Sequence, residues 1–266
     1  MSGWDKPPRG AILNRAHPLG NRFKGCWLFN EASGLYAHDY SGHGNHGTLT
    51  NMTEADWQGG NSGPALAFDG VNDYVDCGND GSLEITTGAV GVWAKSTTQD
   101  AQQTIIDKNT NGQNDGDFTL HIDPTTNKFE LRLQAAPSLS YTIRSNTAMT
   151  MGQWHHVLVT FGSGGMRMYV DGVLQDDTDA FTGGMTNTNA NLNIGGFQTA
   201  YSFSGLMDGV CIWGGALSAA EVRWLYREPY DMFEFDNPVK YFLPSKFLTI
   251  TPSDQQELYV VTSESD

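Results

Sequence analysis

From Gly25 to Trp213, short apolar and β-branched runs recur, each closed by Gly, Asn, Asp or Ser. The runs are GCWLF (25–29), ALAFDG (65–70), DYVDCG (73–78), AVGVWAK (89–95), TIIDK (104–108) and FTLHID (118–123). They continue as FELRLQ (129–134), YTIRS (141–145), WHHVLVTF (154–161), MRMYVDG (166–172), LNIGG (192–196) and GLMDGVCIW (205–213). Spacing of about ten residues between such runs marks a sandwich or barrel of short strands. In FELRLQ, Phe129, Leu131 and Leu133 fall on one side and Glu130, Arg132 and Gln134 on the other, the period of a strand with one dry and one wet face. No strand–helix–strand alternation is present, which argues against a parallel α/β fold.

One helix is legible, in LSAAEVRWLYREP (217–229). Ser218 and Glu221 have capping-box spacing, Val222, Leu225 and Tyr226 share a face, and Pro229 stands at the stop. The flanks differ from the middle. Residues 1–23, with Pro7, Pro8 and Pro18, read as an extended N-terminal arm, 24–230 as the domain, and 231–266 as a C-terminal arm. In the latter, FLTITP (247–252) and ELYVVTS (257–263) read as strands.

The net charge of −15 repels phosphate backbones and sets nucleic acid aside as a partner. It also suits divalent cations, although a solvated acidic surface is the readier account of it. Cys26, Cys77 and Cys211 form no C-x-x-C pair, so reduced buried thiols are the expectation, with one disulfide as the alternative. The opening MSGWDKPPRG has no cationic start leading into an apolar run, so synthesis in a cytoplasm without a signal peptide is expected. No membrane insertion is expected either, for want of about 20 consecutive apolar residues.

Five segments in order resemble the laminin-G-like, concanavalin A-like jelly-roll family. They are CWLFNEASG…HDYSGHGNHGTL (26–49), LAFDGVNDYVDCG (66–78), WHHVLVTF with MYVDGVLQ (154–175), LNIGG (192–196), and GLMDGVCIWGGALSAAEVRWLY (205–226). The resemblance implies an all-β fold: a two-sheet antiparallel jelly-roll β-sandwich with one short C-terminal helix and extended terminal arms. It also implies a structural Ca2+ joining an early loop to the last strand, here through Asp39 and Asp208, with Gly44 and Asn45 as further donors. Asp39 in an Asx turn is the alternative.

Folds of this kind host several functions. The related laminarinase-type hydrolases carry Glu-x-Asp-x-x-Glu on one strand, and the pattern is missing here; Glu54 and Asp56 come nearest, with Gly59 in the third place. No catalytic role is therefore expected. His155 and His156, adjacent on a strand, point to opposite faces. Trp57, Tyr141, Phe197, Tyr201 and Phe203 lie in or beside polar loops and are candidate platforms for stacking sugar rings. The flanks AILNRAHPLGNRFKG (11–25) and REPYDMFEF (227–235) resemble stretches beside this domain in tailed-phage and environmental viral proteins. This favours a non-catalytic virion surface protein, such as a capsid decoration protein. Its arms would bind the major capsid protein, other virion proteins or a second copy. A carbohydrate-binding module directed at host-surface glycans is the alternative, and a glycoside hydrolase a third.

Overall fold

Alternating runs become sheets because one face of each can be dried only against another sheet. A computed structural model describes residues 6–110, 114–137, 139–196 and 201–234. Among them are two eight-stranded antiparallel sheets.

The first sheet contains β2 (Phe23–Trp27), β5 (Trp57–Gly59), β6 (Pro64–Asp69), β8 (Gly88–Ser96), β13 (His155–Phe161), β14 (Met166–Val170), β15 (Val173–Asp179) and β17 (Ser204–Gly214). Their order is β15-β14-β13-β8-β17-β6-β5. Strand β17 pairs with β8 on one side. On the other it takes β6 over Ser204–Met207 and then β2 over Val210–Trp213. The β14–β15 turn is Asp171-Gly172, both with positive φ, as a tight two-residue hairpin requires.

The second sheet contains β3 (Tyr36–Ala37), β4 (Gly47–Thr50), β7 (Tyr74–Asp76), β9 (Gln103–Lys108), β10 (Phe118–Ile122), β11 (Phe129–Ala136), β12 (Leu139–Arg144) and β16 (Asn193–Ile194). Their order is β12-β11-β10-β9-β16-β7-β4-β3. Phe129, Leu131 and Leu133 face inward at 2%, 0% and 0% exposure, as the alternation demands. They meet Val90, Val92, Val157 and Val159 in the core between the layers. Each fully buried large apolar side chain there contributes about 1.5–3 kcal/mol.

A second apolar cluster covers the outside of the first sheet. Helix α1 (Ala219–Arg227) begins with the expected capping box between Ser218 and Glu221. It lays Val222 and Leu225 over Leu158, Tyr169 and Trp213. Leu19, Met232 and Phe233 from the flanks join that cluster. There β1 (Ile12–Leu13) and β18 (Phe233–Glu234) form a two-stranded sheet of their own. The described parts of both flanks thus lie on the sandwich. The expected strands at 247–252 and 257–263 lie outside the described residues. Among the described residues, no helix is long and apolar enough to cross a membrane.

The helix and flanks cover Leu158, Tyr169 and Trp213 on the outer face of the first sheet. The outer face of the second sheet carries a row of polar residues.

Candidate functional site

Register brings together residues that are far apart in the chain. Directly paired residues on adjacent antiparallel strands share a face. Following the pairing from β12 to β3 gives Thr142, Arg132, Thr119, Asp107, Asn193, Asp76, Thr48 and Tyr36. One polar residue from every strand therefore stands in a single row across the sheet. At about 4.8 Å between strands, the row is roughly 34 Å long. A shorter second row runs Arg144, Glu130, His121, Thr104.

Exposure falls from the ends of the long row to its middle. Tyr36 and Thr48 are exposed and Asp76, Asn193, Arg132 and Thr142 half-buried, whereas Thr119 and Asp107 are buried. Exposure along the row thus dips like a trough, lowest at Thr119 and Asp107, which neighbouring side chains close over. The sequence predicted a wet face here, and that expectation is corrected: Glu130, Gln134, Thr119 and His121 are each 6% exposed or less. The face is polar but largely shielded.

Burial on such a face perturbs the titrating groups. Desolvation raises the Asp107 carboxyl well above its usual range, opposed by the neighbouring Asn193 amide. Beyond the nearby Asn193 amide, the Asp107 oxygens have no hydrogen-bond partner within the protein, nor do His121 Nδ1 and Thr104 Oγ1. Burial, helped by the Arg132 charge, lowers His121 to about 4, so its ring is neutral at pH 7. Its Nε2 lies 3.5 Å from Glu130 Oε1, and the other Glu130 oxygen is 2.6 Å from Arg144. Desolvation raises Glu130, with the Arg144 charge acting against it. Buried polar atoms are nearly always satisfied.

Where β9 begins, a recess of about 350 Å³ lies between the ends of the two sheets, lined by Asp69, Thr98, Gln102, Gln103, Tyr201 and Ser202. The Tyr201 carbonyl accepts from Thr104 N at 2.7 Å, and the Tyr201 side chain is 53% exposed.

The four described candidates among the five sugar platforms do not converge. Phe203 is 0% exposed and packs edge-on against Phe68 in the core; that expectation is corrected, because its ring has no free face. Trp57 donates its indole N–H to Gly34 O at 2.7 Å and packs against the core. Tyr141, paired with inward-facing Leu133, stacks on Phe181 with centroids 4.2 Å apart. Tyr201 alone of the four is exposed, at the recess. Phe197 lies outside the described residues. The row itself was missed, and so was exposed Tyr36 at its end.

The expected calcium donors divide into two separate places. Asp39 Oδ1 accepts from Cys26 N and Ser41 N, both at 2.9 Å. Its Oδ2 accepts from Ser41 Oγ at 2.7 Å and Asn45 N at 2.9 Å. Those four donors fill about all the acceptor sites a carboxylate has. Asn45 is engaged too: its side-chain amide donates to Lys24 O and Ser82 Oγ, and its main-chain carbonyl accepts from Trp27 Nε1. Gly44, at φ +82, serves the turn. Asp208 is held elsewhere, by Lys6 and by the N–H groups of Asn61 and Ser62. Burial pushes Lys6 down and Asp208 up, and each charge opposes the other's shift. This set does not fit a divalent cation: the loop matches the Asx-turn alternative, and Asp208 already has its counter-charge. Among the described residues, no three His, Cys, Asp or Glu side chains gather as a metal-binding group.

A family model described as the Concanavalin A-like lectin/glucanases superfamily matches residues 69–223. No curated protein sequence matches the chain. Among solved structures, domain 4 of AbnA is similar; AbnA is a GH43 extracellular arabinanase from Geobacillus stearothermophilus, and the domain was solved in complex with arabinotriose. The TM-score is 0.64 at 21% identity, over 77% of this chain and 98% of that one. The binding domain of Paraclostridial Mosquitocidal Protein 1 gives 0.62 at 13% identity, over 80% of this chain and 53% of that one. The botulinum neurotoxin serotype G binding domain gives 0.59 at 14%, over 79% and 51%. The chain thus spans about half the length of the two toxin domains.

Proposed function

The chain belongs to the concanavalin A-like lectin/glucanases superfamily, and on that premise we propose that it is a non-catalytic module binding a neutral glycan along the trough of the second sheet. The observation that carries this reading is the unbroken polar row from Thr142 to Tyr36. A glycan offers hydroxyls at regular intervals, each able to donate and accept. The half-buried Arg132, Asn193 and Asp76 supply donors and acceptors from the trough walls. Asp107 lies next to Asn193 in the row, buried, with its carboxyl raised well above the usual range by desolvation. Exposed Tyr36 and Tyr201 provide rings of the sort that stack on sugar faces. The charge of −15 disfavours anionic glycans. Among relatives of this fold, the arabinanase domain was solved with a sugar bound.

The carboxylates of the trough support a binding role over hydrolysis. Asn193 stands between Asp76 and Asp107, so their backbones are two strand spacings, about 10 Å, apart. Asp107, moreover, is 0% exposed, out of reach as a general acid.

The virion-surface reading, which rests on the resemblance of the flanks 11–25 and 227–235 and on arms free to bind a neighbour, ranks second. The described residues of those arms already pair with each other and pack on the sandwich, which leaves them fewer groups for a partner.

A glycan array with the full chain tests the proposal, with arabino-oligosaccharides included as first probes. Binding to one neutral class, weakened about tenfold or more in Asn193→Ala and Arg132→Ala, is expected, since one lost hydrogen bond costs roughly 1–3 kcal/mol. No binding to any neutral glycan would overturn it.

A further inference from the structure

Strand β17 leaves β6 after Met207 and takes up β2 at Val210, and Asp208 stands at the gap between them. Three oxygens converge there: the Asp208 carboxylate, the carbonyl of Phe29 just beyond β2, and the carbonyl of Pro64 at the start of β6. The ammonium of Lys6 sits among them, 3.5 Å from Phe29 O and in direct contact with Pro64 O and Asp208 Oδ1. The side chains of Lys6 and Asp208 are 2% and 0% exposed. Neighbouring bonds hold the segment down: Lys6 N donates to Ser62 O at 3.2 Å, and Asn30 Nδ2 donates to Pro7 O at 2.8 Å.

A carboxylate with main-chain carbonyls, and no nitrogen or sulfur, is the donor chemistry of a hard divalent cation. An ammonium has three N–H donors and here meets three acceptors. We propose that this cage is a cation site which the chain fills from within: Lys6 is a tethered ion that closes the gap beside β17 and fastens the N-terminal segment over it. The fold then needs no divalent ion at this point, and removing the lysine side chain opens the cage to one.

The full chain, Lys6→Ala and the double variant Lys6→Ala/Asp208→Asn test this by calorimetric Tm in EDTA and in millimolar calcium. The wild-type Tm is expected to be the same in both. Lys6→Ala should melt lower in EDTA and recover by about 5 °C with calcium, as native-state ligand binding requires; the double variant should not respond. Two results overturn the proposal: a wild-type Tm that rises with calcium, or a Lys6→Ala Tm that does not. Should Lys6→Ala fail to fold, amine acetylation of the native chain read by mass spectrometry decides. Lys6 must stay unmodified while half-buried Lys95 reacts; equal labelling refutes the tethered ion.

Discussion

His121 gives the structure a quantitative pH signature. Its ring lies on the shielded face of the second sheet, 4% exposed, near Arg132, Arg144, Glu130 and Asp123. Burial lowers its pKa from 6.5 to about 4. Between those values the unfolded chain binds a proton that the folded chain refuses. Stability from this group is therefore full above pH 6.5, falls as pH drops toward about 4, and changes no further below that. At about 1.4 kcal/mol per pH unit, the window amounts to roughly 3 kcal/mol. His121→Gln keeps an amide in place of the imidazole and cannot titrate. Urea unfolding of both proteins at pH 7, 5.5 and 4 is the assay. The wild type should lose about 3 kcal/mol more than the variant across that range, a midpoint difference of about 1 M for an m-value near 3 kcal/mol/M. Curves that stay parallel from pH 7 to 4 would refute the assignment of His121 as a buried neutral imidazole.

Three further outcomes are expected. Phe203→Ala should cost about 3–5 kcal/mol in urea unfolding, as a cavity in the core does, while glycan affinity of the folded fraction is unchanged. Asp107→Asn should match the wild type near pH 3 and become the more stable protein as pH rises, because a carboxyl whose folded pKa is raised withdraws stability as pH climbs through that value. Cys26 and Cys211 face each other across β2 and β17 with sulfurs 2.7 Å apart. Directly opposed strand residues have a Cα separation that a disulfide accepts, so mild oxidation should join them and leave buried Cys77 free, as peptide mapping without reductant would show.

The layered fold was legible because alternation is local: Phe129, Leu131 and Leu133 declare their common face within six residues. So was α1, whose cap, apolar face and stop all lie between Ser218 and Pro229. The trough was not legible. Its members come one from each of eight strands, and only the pairing, such as Asn193 with both Asp76 and Asp107, puts them in line. Strand β16 is two residues long, too short for any periodic signal. The wet side of FELRLQ was read correctly as polar, but shielding of Glu130 and Gln134 depends on neighbours from other strands. Aromatic content misled for a related reason: Phe203 sits between a loop and a strand, and its neighbours in the chain are polar while its neighbours in space are not. Lys6 belongs to a Pro-rich stretch that reads as an arm, and nothing near it in the chain points to Asp208.

Amide chemical shifts recorded during titration with the strongest array glycan test the trough most directly. The account predicts that the largest changes fall on Asp76, Asn193, Arg132 and Thr142, with the helix-covered first sheet unmoved. Changes centred on α1 or on the Asp39–Asn45 loop, with the row silent, would contradict it.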